Sequence, residues 1–72
     1  MRPVKRSFTI AGHKTSISLE PEFWDALKAV AYEERRPLAQ IVRDIDTGRG
    51  DTNLSSAVRV WLLARFRTAR PD

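Results

Sequence analysis

Cysteine is absent from the 72 residues, so the chain forms neither a disulfide nor a thiolate-ligated metal site, and a reducing compartment is expected. Histidine is nearly as scarce. His13 stands alone, and one imidazole without a cysteine or a second histidine is a poor start for a metal site. Long apolar runs are also missing: the longest, Val60 to Ala64, falls far short of the roughly 20 residues that span a bilayer. Arg2, Lys5 and Arg6 look like the start of a signal peptide, but no apolar segment of suitable length follows them. A cytoplasmic protein without membrane association is the expectation. A chain of this size buries only about 60% of its unfolded surface. With no disulfide or metal to brace so thin a core, oligomerisation is the common remedy left, and an obligate homodimer is expected.

The chain also lacks the groupings that chemistry requires. Ser55 and Ser56 have no candidate base or orienting partner nearby in sequence, so no catalytic role is assigned and no cofactor is implied. Asp44-x-Asp46-x-Gly48 looks like the opening of a calcium loop, but the sixth position is Arg49 rather than glycine and the twelfth is Ser55 rather than glutamate. Arg49-Gly50-Asp51 spells an adhesion tripeptide in a chain with no sign of secretion, and is read as coincidence.

Charge is present and unevenly laid. The formal total is +4, with bases but no acid through residue 14, an acidic excess over residues 15–46, and a basic excess beyond. A basic end joined to an acidic middle suits a protein that sets one surface on a polyanion. Ordinary surface charge is the plain alternative.

The chain turns on KTSISLEPEFWDAL, Lys14 to Leu27. Thr15, Ile17 and Leu19 share one face of an extended strand, and Lys14, Ser16 and Ser18 share the other. After Leu19 the period changes. Pro21 suits a first helical turn, and Phe23, Ala26, Leu27, Val30 and Ala31 recur at helical spacing, with Trp24 and Tyr32 on the flank. This helix is expected from about Pro21 to Arg35, where Arg36-Pro37 ends it. Leu38, Ile41, Val42 and Ile45 predict a second helix to about Asp46, TGRGDTN predicts a loop from Thr47 to Asn53, and Asn53 caps a third helix from Leu54 to about Thr68. Val60, Leu63 and Phe66 fall off the buried stripe of that helix, so it has apolar surface on more than one side. Residues 69–72 are read as a tail.

A strand of about six residues needs a partner, because even a two-stranded hairpin alone is marginal in water. One source is the same strand of a second copy, pairing antiparallel across a two-fold axis over a dimer core of Ile17, Leu19, Phe23, Leu27, Val30, Ile41, Val42 and Ile45. The other is SFTI, in which Phe8 and Ile10 alternate with Ser7 and Thr9, turning at Ala11-Gly12 to pair with KTSISL. The expectation leans to the second copy, with residues 1–13 as a basic arm or edge strand beside residues 14–68.

Strand, helix, turn, helix with a polar outward row resembles the ribbon-helix-helix (Arc/MetJ-like) family of DNA-binding proteins over residues 14–46. The wider pattern KRSFTIAGHKTSISLEPEFW followed by NLSSAVRVWLL resembles a subgroup of short bacterial proteins known mainly as predicted DNA binders. The resemblance implies an α+β, mostly helical fold with an extra C-terminal helix, and a dimeric antiparallel ribbon lying in the major groove of double-stranded DNA. Carried over by position, Lys14, Ser16 and Ser18 face the bases. Arg2, Lys5, Arg6, His13 and Arg36 are the candidate phosphate ligands. The chain departs from the family at its second helix, where Arg36-Pro37-Leu38 lacks a hydroxyl cap and proline removes one N–H donor. NLSSAV itself looks like the opening of a family second helix, which leaves a register with Asn53, Ser55 and Ser56 on the phosphate open.

The function expected is a homodimeric, sequence-specific transcriptional regulator of the repressor kind, with several dimers able to line up on repeated sites. A protein-binding adaptor, or an antitoxin that docks a partner through residues 54–68 at Trp61, Leu63 and Phe66, is the rival.

Overall fold

A computed structural model of the chain describes residues 2–69. Two strands, β1 (Val4–Ile10) and β2 (His13–Leu19), are followed by helices α1 (Pro21–Glu34), α2 (Leu38–Gly48) and α3 (Leu54–Ala69). The strands pair antiparallel, with Ile10 opposite His13 at the turn and Val4 opposite Leu19 at the far end. Antiparallel pairing is as expected. Within the chain, the neighbour of β2 is β1, the second strand that the sequence also offered.

The turn explains why. Ala11 and Gly12 sit at φ 52° and 82°, both in the left-handed region that a two-residue turn needs to follow the twist of its strands. Gly12 adopts this without steric cost; Ala11 bears a modest strain. Ala-Gly is a weak hairpin signal, and β1 is held by more than its turn. The Trp24 Nε1 donates to the Val4 carbonyl at 2.8 Å, the Trp24 ring stacks on Phe8 with centroids 6.1 Å apart, and the Arg6 guanidinium lies 5.3 Å over the same ring. Trp24, read from the sequence as a flank residue, is therefore buried at 2% exposure, and Phe23, assigned to the dimer core, is only half-buried.

The rest of the core follows from the two periods. Ile10, Ile17 and Leu19 from the hairpin meet Leu27, Val30 and Ala31 of α1, Ile41, Val42 and Ile45 of α2, and Leu54, Val58 and Leu62 of α3. The residues expected to bury against a second copy thus close within one protomer, because β1 and α3 supply the missing cover. α1 ends one residue early. Arg35 takes a left-handed conformation (φ 55°), and the Arg36 N–H reaches back to the Ala31 carbonyl at 3.0 Å, closing the helix as a Schellman-type cap does. Asn53 caps α3 as expected, its Oδ1 accepting from the Ser56 N–H at 3.3 Å. α2 runs two residues beyond its expected end, shortening the loop, which the Arg49 side chain braces through Asp46 and the Thr52 carbonyl. α3 takes in Ala69, the first residue of the expected tail, and residues 70–72 lie outside the described residues. No helix among the described residues is long and apolar enough to cross a membrane.

Ile17 is fully buried, so Ile17→Ala is expected to lower the free energy of urea unfolding by about 2–5 kcal/mol. Tyr32→Ala, at a side chain 86% exposed, should stay within about 0.5 kcal/mol of the parent.

Candidate nucleic-acid interface

Alternation sorts the hairpin into two faces. One carries the apolar residues that meet the helices; the other carries Lys5, Ser7 and Thr9 of β1 opposite Ser18, Ser16 and Lys14 of β2. These side chains are exposed apart from the half-buried Ser18, and the Ser7 and Ser16 hydroxyls lie 3.5 Å apart across the strands. The face therefore offers two ammonium groups and a row of hydroxyls, with no carboxylate in either row. Hydroxyls donate or accept and ammonium groups only donate, a set suited to base edges and phosphate oxygens alike.

The expected base-facing residues Lys14, Ser16 and Ser18 are thus together on one surface. Ser7 and Thr9 join them, and the sequence alone assigns them no contact because it leaves residues 1–13 as an arm or edge strand. The expected phosphate ligands scatter. Lys5 is on the ribbon face and Arg2 just before it, both exposed, whereas Arg6 points to the opposite side, over Trp24. His13 is exposed at the turn, in the row that begins with Thr15 and Ile17. Arg36 is committed elsewhere: its guanidinium pairs with Glu34 at 3.2 Å and with Asp44, and donates to Gln40 Oε1 at 2.9 Å. Glu34 also pairs with Arg65, so these ion pairs tie the ends of α1, α2 and α3 together. Arg43, given no role from the sequence, is exposed beside Gln40 where α2 meets Thr9 and Ala11 at the turn end of the ribbon. Only its proximity in the fold reveals it.

The first turns of α3 hold the outer edge of β2. The Ser18 N–H donates to Ser55 Oγ at 3.1 Å, and the Arg59 Nη2 donates to the Ser18 carbonyl at 3.2 Å. Arg59 also pairs with Glu20 Oε1 through Nε at 3.0 Å and Nη2 at 2.9 Å, and its guanidinium lies 5.6 Å over the Phe23 ring. Ser55, considered as a phosphate contact in the alternative register, is a backbone partner of the ribbon instead. Of the residues proposed for a protein partner, Leu63 and Phe66 are exposed and share a face with Val60, while Trp61 lies on another side, half-buried against the core with Arg65 4.9 Å over its ring.

A backbone hydrogen bond, and after it the Arg59 side chain, hold the Glu20 carboxyl below the usual glutamate range. A group whose folded value is depressed adds stability above its unfolded value and loses it as the pH falls through the folded one. The parent is accordingly expected to be more stable than Glu20→Gln at neutral pH, the gap closing on acidification. Urea midpoints of both proteins from about pH 7 to about pH 2.5 measure this.

A two-stranded ribbon with a polar, carboxylate-free outer face, backed by helices, is the geometry that enters a DNA major groove. No curated protein and no solved structure matches the chain. The family model described as a ribbon-helix-helix domain matches residues 3–66, from just before β1 well into α3. With the match covering nearly all of the hairpin and the three helices, the chain belongs to the ribbon-helix-helix family, whose members bind DNA, dimerise and commonly serve as transcriptional regulators.

Proposed function

We propose that this protein is a homodimeric, sequence-specific transcriptional regulator acting in the cytoplasm, a repressor that competes for promoter DNA by laying its ribbon in the major groove. The observation that carries this reading is the carboxylate-free face of Lys14, Ser16 and Ser18 on a two-stranded ribbon. The major groove is about 12 Å wide and admits such a ribbon. Lys14 donates to guanine O6 and N7, and the serines add weaker discrimination. We assign phosphate contact to Arg2 and Lys5, and to Arg43 at the turn end, in preference to Arg36, whose guanidinium is occupied within the fold. His13 and Arg6 flank the ribbon and are assigned to its rim.

Lys14→Ala, Ser16→Ala and Ser18→Ala combined are expected to abolish specific binding in a gel shift against genomic fragments, while the circular dichroism spectrum is retained. Specific binding that survives all three changes removes the ribbon from the mechanism.

The row Val60, Leu63 and Phe66, with Phe23 and Ala26 across a shallow groove, favours a second reading of α3 as a docking face for a protein partner in an adaptor or antitoxin. Sedimentation separates the two uses of this row. If it joins the homodimer, Leu63→Glu with Phe66→Glu yields folded monomers; if it serves a different protein, the dimer persists.

A further inference from the structure

Large apolar side chains are exposed mainly in one place. Among the described residues five such side chains are exposed, and three of them, Val60, Leu63 and Phe66, form a single row on α3, while Val4 and Tyr32 stand apart on β1 and near the end of α1. Residues three and four apart share a helix face, so the row also carries Arg59 and Arg67. Beside it runs a groove of about 330 Å³, bounded on its far side by Glu22, Phe23 and Ala26 of α1. The groove has a direction. Arg59 lies over Phe23 near the start of α1 and Arg65 pairs with Glu34 at its end, so the two helices run the same way. Glu22 therefore stands at one end of the groove, with Phe66 and Arg67 at the other.

That layout is its own complement. Neither Glu22 nor Arg67 makes an ion pair among the described residues. A two-fold contact sets a face against itself in reverse, which brings Arg67 of each copy to Glu22 of the other and Phe66 to the side of the groove formed by Phe23 and Ala26. Arg59, at the same end, is neutralised by Glu20 at 2.9 Å. We propose that this face joins two copies of the chain: the α3 helices cross antiparallel at Leu63, Phe66 of each enters the groove of the other, and Arg67 pairs with Glu22 at both ends. This rests on the homodimeric regulator reading above and names α3 as part of the surface that holds the dimer. A foreign protein requires no self-matching of charge, whereas members of the family dimerise. The groove also adjoins the ribbon, because Arg59 both lines it and donates to the Ser18 carbonyl of β2. A second copy seated there stays beside the strands assigned to DNA.

Sedimentation of the full chain without DNA comes first. The parent is expected to be a dimer, and a monomer overturns this contact and the homodimer together. A residue on a two-fold axis meets its own copy, and the chain has no cysteine, so Leu63→Cys sets two thiols within disulfide reach. On mild oxidation it is expected to give a disulfide-linked dimer about tenfold faster than Tyr32→Cys, whose side chain lies off the row. Equal rates overturn the crossing at Leu63. Arg67→Glu and Glu22→Arg are each expected to raise the dimer dissociation constant roughly tenfold, and the two combined to return it close to the parent value. Single changes without effect, or a combination no better than either one, overturn the proposal and leave the α3 row to a different protein. A dimeric parent that gives no specific gel shift sinks the DNA-binding reading instead, and leaves this contact standing.

Discussion

The structure depends on covering one side of a ribbon that is too small to stand alone. Two strands of this length are marginal in water, and here the cover comes from three helices that together enclose Ile10, Ile17 and Leu19. Trp24 is the joint: its indole N–H holds the start of β1 and its ring packs on Phe8. A buried aromatic with its polar atom satisfied contributes area and direction at once. α3 completes the arrangement from the other edge, where Ser55 and Arg59 satisfy the backbone groups that β2 turns away from β1.

The same alternation that drives Ile17 and Leu19 inward leaves Lys14, Ser16 and Ser18 outside, so core and candidate interface are two sides of one strand. Electrostatics sharpen the division. Glu20, Glu34, Asp44 and Asp46 are each tied to an arginine, which spends the acidic excess of residues 15–46 on fastening helices and loops. Exposed pairs of this kind add little stability individually. Their larger effect is on the surface potential: the acids are paired away from the face that bears Lys5 and Lys14, whose rows hold no carboxylate and where a polyanion can approach.

Much of this was legible in the residues. The period change at Leu19, the proline at the start of α1, the apolar spacing of Leu38, Ile41, Val42 and Ile45, and the Asn53 cap all mark local structure, because each acts within a turn or two of chain. The outward row of β2 was legible for the same reason. Less accessible were contacts between residues distant in sequence. Helical spacing favoured Phe23 over Trp24 for burial, since it takes no account of a strand laid across the N-terminal turns of α1. Arg36 reads as a free cation until Asp44 and Glu34 are placed beside it, and Arg43 reads as ordinary surface until α2 meets the hairpin turn.

By itself the sequence determined that residues 14–19 form a strand with one wet and one greasy side, that helices follow, and that chemistry resting on thiols is absent. Periodicity and composition are enough for that, because they are properties of neighbours along the chain. Which strand lies beside β2 was decided only in three dimensions. The local pattern of β2 suits β1 and another copy alike; β1 is joined to it by the left-handed Ala11-Gly12 turn and held there by the Trp24 anchor, and while the turn is local, the anchor forms only once α1 has packed against the hairpin.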